Sequence, residues 1–127
     1  MELNQLVPDF TLQDTKGRIH ILSDYRPRVG IVNFWSAECP YAEKADEAFL
    51  QYLKEWGDRV ALLTVASNDN ETPGLVAAAG RRRKLPFVLH DEHHRVADLF
   101  GARTTPHVFI VDGEDRLVPM AVEEPSI

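Results

Sequence analysis

The residues best suited to chemistry lie at positions 34–42, which read F-W-S-A-E-C-P-Y-A. Cys39 is the only cysteine among the 127 residues, and Ala42 stands where a second one would complete a C-x-x-C motif. A thiolate is a strong nucleophile, and a C-x-x-C pair uses its second thiol to release the first from a mixed disulfide. The spacing therefore indicates a redox site that has its nucleophile but lacks the partner thiol.

Cys39 is predicted to lie where a buried strand ends and a helix begins. Residues 29–35 (V-G-I-V-N-F-W) form an apolar run typical of a strand that is covered on both faces. Pro40 suits the first helical position, because the N–H that it lacks has no partner there. The unpaired N–H groups and dipole of a helix start favour a thiolate, whereas nearby carboxylates such as Glu43 and Asp46 oppose it unless they point to water. The alternative is that Cys39 is a small buried side chain without reactivity.

A second candidate stretch, R-T-T-P-H at residues 103–107, precedes the apolar run V-F-I-V. A proline at the start of a strand needs a reason, since it cannot donate to the sheet, and a cis Thr105–Pro106 bond is one such reason. Arg103 and His107 are candidate accessory residues. His107 would be a base or a thiolate partner for Cys39, or else a strand residue without a chemical role.

Strand and helix signals alternate along the rest of the chain. Short alternating runs at residues 10–12 and 18–22 predict a hairpin. Apolar residues at three- and four-residue spacing predict a helix that ends at Gly57, with Asp46 among the polar residues of its wet face. The other predicted elements are strands at residues 60–66, 87–90, 108–111 and 117–122 and helices at residues 73–84 and 95–100. This order predicts one α/β domain, residues 1–127, with a mixed central sheet and helices on both faces.

Composition and charge argue against several classes of function. A net charge of -6 disfavours nucleic-acid binders and polybasic membrane-surface proteins. No apolar run approaches the ~18 residues of a membrane span, so the chain is expected to be cytoplasmic, or periplasmic or membrane-anchored if an N-terminal segment was removed. Residues 90–94 (H-D-E-H-H) match no zinc pattern, and no metal or organic cofactor is implied. The cations of residues 81–84 (R-R-R-K) complement the negative end of a helix dipole.

Four stretches, in order and at consistent spacing, together resemble one family. They are residues 7–26 (V-P-D-F-T-L-Q-D-T-K-G-R-I-H-I-L-S-D-Y-R), 31–40 (I-V-N-F-W-S-A-E-C-P), 86–91 (P-F-V-L-H-D) and 96–112 (V-A-D-L-F-G-A-R-T-T-P-H-V-F-I-V-D). Over about residues 7–118 the chain resembles thioredoxin-fold proteins, and more specifically the TlpA-like, AhpC/TSA redoxin branch. The resemblance implies a thioredoxin-like α/β fold that begins with an N-terminal hairpin.

The resemblance also implies roles for particular residues. Cys39 matches the attacking cysteine of the family's C-x-x-C, and Trp35 matches the aromatic residue that flanks the site. Trp35 and Pro40, with Thr105 and Pro106, are therefore expected to frame the nucleophile and to bind the substrate. Pro106 matches the family's cis-proline, which packs against the active-site sulfur. Thr105 would then offer its backbone N–H and C=O to a bound polypeptide in the manner of a strand.

The sequence departs from the family pattern in three places. Ala42 replaces the resolving cysteine. Asn33 stands where thioredoxins proper carry a buried acid, although the TlpA-like branch commonly has asparagine there. The last residues, L-V-P-M-A-V-E-E-P-S-I, look short of the family's closing helix, and their prolines suit a helix poorly. One face of the sheet is therefore expected to be partly uncovered and to favour a partner or a homodimer.

Three functions are compatible with a lone cysteine at such a site. The first is a monothiol redoxin that forms a mixed disulfide with a protein disulfide or a small thiol and needs an external thiol to release it. The second is a one-cysteine peroxidase, in which Cys39 is oxidised to a sulfenic acid. Ser36 lies where peroxiredoxins have a Thr or Ser, but Val32 stands in place of their proline, and Arg103 is the only nearby candidate to polarise a peroxide. The third is a redox-inactive module that binds extended peptides beside Pro106.

Overall fold

The described part of the chain, residues 2–118 of a computed structural model, is built on a seven-stranded mixed sheet. The strands are β1 (Thr11–Asp14), β2 (Ile19–Ile21), β3 (Val29–Trp35), β4 (Val60–Ala66), β5 (Val88–His90), β6 (His107–Val111) and β7 (Leu117–Val118). The helices are α1 (Pro40–Trp56), α2 (Pro73–Arg82) and α3 (Arg95–Phe100). In space the strands run in the order β2-β1-β5-β4-β3-β6-β7.

The centre of the sheet is parallel and its edges are antiparallel. β3 pairs in parallel with β4 along its whole length, and β4 pairs in parallel with β5. Parallel neighbours need a crossover, and α1 and α2 supply the two crossovers. β1 and β6 join this centre in antiparallel register. The carboxyl end of β3, where the chain enters α1, therefore lies in the middle of the sheet, between β4 and β6.

Neighbouring residues of β3 point into two separate cores, because side chains alternate across a strand. Phe34 packs with Val96 and Phe100 of α3, on the face that the N-terminal segment also covers. Trp35 packs on the other face with Ala42 of α1 and the apolar residues of α2. Helices thus lie on both faces of the sheet, as the sequence predicted. Cys39 packs against the core that contains Trp35.

The helix boundaries follow local signals in the sequence. α1 ends at Gly57, whose φ of 57° is a left-handed value that favours glycine. The side chain of Thr72 caps α2 by accepting a hydrogen bond of 3.2 Å from the Leu75 N–H. None of the helices in residues 2–118 is long and apolar enough to cross a bilayer. The predicted extension of the last strand to residue 122 and the expected shortening of a closing helix fall outside the described residues.

Candidate active site

Cys39 is the residue that immediately precedes α1. Its φ and ψ of -85° and 117° are extended, so it is the N-cap of the helix, and Pro40 occupies the first helical turn as predicted. The side chain is half-buried, and its sulfur donates a hydrogen bond of 3.2 Å to the carbonyl oxygen of Thr105. The free N–H groups and positive dipole end of the 17-residue helix α1 therefore face the segment that carries this thiol.

The partner carbonyl belongs to a cis Thr105–Pro106 peptide bond, which confirms the predicted geometry of this bond. β6 begins at His107, and its pairing with β3 places His107 opposite Phe34. This register brings Thr105 beside the end of β3, although it is 66 residues from Cys39 along the chain. Thr105 is an exposed residue, and its carbonyl oxygen is the atom that accepts the hydrogen bond from the sulfur.

Trp35 lies beneath the site and not at its rim. Its side chain is fully buried, at 0% exposure, and its indole N–H donates a hydrogen bond of 2.6 Å to Asp46 Oδ2. The ring therefore supports the segment before Cys39 from within the core, and the expectation that Trp35 contacts a substrate stays a prediction. The exposed aromatic residue near Cys39 is Tyr41, at 63% exposure.

Asp46 is buried, which corrects its prediction as a wet-face residue of α1. The residue is only 1% exposed. Burial raises the pKa of its carboxyl to about 6, although the hydrogen bond from Trp35 and the charge of Arg83 both act to lower it. Asn33 is also fully buried. The buried acid near the site thus comes from the helix and not from the strand position of Asn33.

Arg83 reaches under the same segment from the end of α2. Its side chain is 5% exposed, and the guanidinium lies 3.3 Å from Asp46 Oδ2 and 5.0 Å from the centre of the Trp35 ring. Its N–H groups also donate to the backbone carbonyls of Ser36 and Ala37. The prediction that the R-R-R-K run merely complements a helix dipole is wrong for Arg83, which is a buried partner of the loop before Cys39.

Glu71 binds that loop from its other side. Its carboxylate is buried and accepts hydrogen bonds from the Ser36 hydroxyl at 2.6 Å, the Ala37 N–H at 2.9 Å and the Glu38 N–H at 3.0 Å. The Ser36 hydroxyl, a candidate accessory group, is therefore occupied by a carboxylate. Charged groups on both sides fix residues 36–38, the link between β3 and Cys39.

The two remaining candidates, Arg103 and His107, contact each other. The Arg103 backbone N–H donates to His107 Nδ1 at 3.1 Å, and the imidazole stacks on Phe109 with ring centres 4.6 Å apart. Burial lowers the pKa of His107, so its ring favours the neutral form. The hydrogen bonds of residues 2–118 link the Cys39 sulfur to Thr105 and not to this histidine.

A family model described as the AhpC/TSA family matches residues 3–119. The chain belongs to the AhpC/TSA family. Among curated proteins it is similar to thiol-disulfide oxidoreductase ResA of Geobacillus thermodenitrificans, with 29% identity over 87% of this chain and 63% of that protein. ResA of Bacillus anthracis is 24% identical over 98% of this chain and 72% of that protein. The chain therefore spans less than two thirds of the first of these relatives.

Solved structures share the fold. The thioredoxin domain of a thiol-disulfide oxidoreductase from Bacteroides vulgatus superposes with a TM-score of 0.85 at 20% identity, covering 96% of this chain and 89% of that one. A hypothetical protein from Sinorhizobium meliloti gives a TM-score of 0.83 at 30% identity, covering 92% and 68%. The AhpC/TSA chain thus has the thioredoxin-like fold that its sequence predicted.

Sequence reasoning missed Asp46, Arg83 and Glu71, the charged residues beneath this AhpC/TSA site. Asp46 and Arg83 are 37 residues apart in the sequence, and Glu71 is 33 to 35 residues from Ser36, Ala37 and Glu38, to which it is hydrogen-bonded. The one available signal was Asp46, because a carboxylate within two turns of Cys39 has either to face water or to find a cation.

Among residues 2–118 no cluster of three or more His, Cys, Asp or Glu side chains is arranged to hold a metal.

Asp46 is expected to give the folded chain a distinctive pH dependence. Its folded-state pKa of about 6 lies above the ordinary value of 3.8, so its contribution to stability is present below the ordinary pKa and is lost as the pH rises through about 6. The free energy of unfolding of the wild type, minus that of Asp46→Asn, should fall by an amount on the order of 2 kcal/mol between about pH 4 and pH 6.

Urea denaturation at several pH values measures this difference. The asparagine keeps the shape of the side chain and cannot titrate, so the subtraction removes the pH dependence of all other carboxylates that are unchanged by the substitution. A difference that stays constant over this range would mean that Asp46 keeps an ordinary pKa despite its burial.

Proposed function

We propose that this chain is a monothiol thiol-disulfide oxidoreductase in which Cys39 is the nucleophile. The observation that carries the proposal is the position of the Cys39 sulfur, at the N-cap of α1 and 3.2 Å from the carbonyl oxygen of Thr105. Unpaired N–H groups of a helix start stabilise a developing thiolate, and Cys39 is only partly buried. The relatives named ResA carry the same class of activity in their names.

The proposed reaction has two exchange steps. The Cys39 thiol loses its proton to solvent, and the thiolate attacks one sulfur of a substrate disulfide. The new bond joins Cys39 to that sulfur, the substrate S–S bond breaks, and the second substrate sulfur leaves as a thiolate. An external thiolate such as glutathione then attacks the mixed disulfide and restores Cys39 as a thiolate, since the chain has no second cysteine.

The proposed substrates are extended polypeptide disulfides or small disulfides. Thr105, which is exposed, would offer its backbone N–H and carbonyl to a strand-like segment, and Pro40 and Pro106 directly follow the two residues of the Cys39–Thr105 hydrogen bond. Exposed Tyr41 adds an aromatic contact in the first turn of α1. The Cys39–Thr105 hydrogen bond must break when the thiolate forms, which leaves this carbonyl available to a substrate N–H.

The peroxidase alternative receives less support from the same contacts. The Ser36 hydroxyl already donates to Glu71, and among the described residues the hydrogen bond of Arg103 is made by its backbone N–H to His107 and not by its guanidinium to Cys39. Neither contact directs a donor at the Cys39 sulfur, where a peroxide would have to be polarised. The redox-inactive binding module differs from the proposal only in the reactivity of Cys39, so it becomes an outcome of the test.

The test compares the rate at which glutathione disulfide modifies Cys39 in the native chain and in urea. Intact mass spectrometry measures the fraction of the chain that carries a glutathionyl group. The unfolded chain is the control, because it has the same thiol without the folded surroundings of Cys39. The native rate is expected to exceed the unfolded rate by about tenfold or more, and reduced glutathione should remove the adduct. A native rate equal to or below the unfolded rate would contradict the proposal and favour the binding module. Rapid consumption of hydrogen peroxide that depends on an added thiol would favour the peroxidase.

A further inference from the structure

The loop that carries Cys39 lies between a buried cation and a buried anion. Arg83 donates to the carbonyls of Ser36 and Ala37, and Glu71 accepts from the N–H groups of Ala37 and Glu38. The backbone polar groups of residues 36–38 thus have charged partners on both sides, at a point where they belong to neither β3 nor α1. Hydrogen bonds to charged groups are about twice as strong as neutral ones, so both partners restrain this loop strongly.

Arg83 also restrains the helix that follows Cys39. Its guanidinium pairs with Asp46 on α1 at 3.3 Å, and the Arg83 Nε lies 3.9 Å from Glu43 Oε1 on the same helix. One side chain of α2 therefore binds the chain both before and after the sulfur. A planar guanidinium with several N–H donors can make these contacts at once, whereas a lysine ammonium cannot reproduce their directions.

The burial of its charge distinguishes the role of Arg83 from simple packing. The Arg83 side chain is 5% exposed, and a buried charge is costly unless it is paired and hydrogen-bonded. An apolar residue of similar length would fill the same space against Trp35 without that cost. What only arginine supplies at this position is the set of hydrogen bonds to the loop and to Asp46.

We propose that Arg83 is a positioning residue for Cys39, which holds residues 36–38 and the start of α1 in the arrangement that presents the sulfur beside Thr105. The inference rests on the proposed function, because it concerns the reactivity of the same thiol. Arg83 acts through the backbone of the loop and through Asp46. Glu71 completes the arrangement by binding the opposite side of the loop.

The experiment measures thiol exchange of Cys39 with glutathione disulfide in Arg83→Met, Arg83→Lys and Arg82→Met. Arg82 is the matched control, because it is the neighbouring arginine and is exposed. Arg83→Met should lower the native exchange rate by about tenfold or more, since small displacements of a reacting group are costly, and Arg83→Lys should recover only part of the loss. Arg82→Met should react at the wild-type rate.

Amide hydrogen exchange supplies a readout that distinguishes a local effect from general destabilisation. In Arg83→Met the N–H groups of Ala37 and Glu38 should exchange faster, while those of β4 keep their protection. If Arg83→Met does not fold, the same measurements on Arg83→Lys decide the question. A folded Arg83 variant that exchanges thiols at the wild-type rate would overturn the inference. A wild type no faster than its own unfolded state would instead overturn the proposed function.

Discussion

Replacing Ala42 with cysteine is expected to convert the chain from a monothiol to a dithiol exchanger. Ala42 is fully buried in the first turn of α1, and Cys39 packs against the same apolar cluster. A thiol at position 42 can therefore attack the mixed disulfide on Cys39 within the molecule. Release of the bound thiol should accelerate by at least about tenfold, because an intramolecular attack replaces a bimolecular collision.

The matched control for this variant is Ala45→Cys, which also adds a thiol to a buried alanine of α1. Position 45 is too far from Cys39 for a bond, since each helical residue advances ~1.5 Å and bridged residues have Cα atoms within ~7 Å. Thiol counting after oxidation should find no free thiol in Ala42→Cys and two in Ala45→Cys. Two free thiols in oxidised Ala42→Cys would show that the start of α1 does not bring positions 39 and 42 together.

Truncating Trp35 to alanine is expected to have the largest effect on stability. The ring is fully buried between β3 and both α1 and α2, so its loss should cost about 3–5 kcal/mol through the cavity alone. The Asp46 carboxylate also loses its hydrogen-bond donor. Since domains are typically stable by only about 5–15 kcal/mol, the variant should lie close to unfolding.

Trp56→Ala is the control for this loss. Trp56 is half-buried at the end of α1 and stacks on Tyr52 with ring centres 4.9 Å apart, so its removal should cost only about 1–2 kcal/mol. Urea denaturation followed by far-ultraviolet circular dichroism compares the two variants without relying on tryptophan emission. An equal loss in the free energy of unfolding for both variants would mean that Trp35 contributes no more to the core beneath Cys39 than Trp56 contributes at the end of α1.

The sequence predicted the elements that depend on local patterns. The apolar runs at residues 29–35 and 60–66 coincide with β3 and β4, because a strand covered on both faces must be apolar throughout. Gly57 ends α1, as the break in helical spacing indicated. The position of Cys39 before a helix followed from the same reasoning, since Pro40 marks a helix start.

The sequence could not predict the contacts that join distant segments. Helical spacing assigned Asp46 to water, because a carboxylate on a helix has no visible partner until the fold brings Arg83 beside it. Glu71 belonged to a predicted loop, and its hydrogen bonds to residues 36–38 depend on how α2 packs against the sheet. The resemblance placed Trp35 beside the site, and the alternation of Trp35 with Phe34 in β3 directs its ring into the core beneath that site.

Glu71 and Arg83, the two charged residues that bind residues 36–38, determine how much of the chain must be transferred to move this site into another protein. Glu71 and Arg83 both belong to the crossover between β4 and β5 and not to the strand–helix unit that carries Cys39. A chimera that received only residues 29–56 would inherit the sulfur without the groups that hold its loop. Residues 29–90 contain Cys39 and both charged partners of its loop, and residues 105–106 must accompany them, because the Thr105 carbonyl is the hydrogen-bond partner of the sulfur. Recombination that separates these two segments should leave Cys39 without the groups that position it.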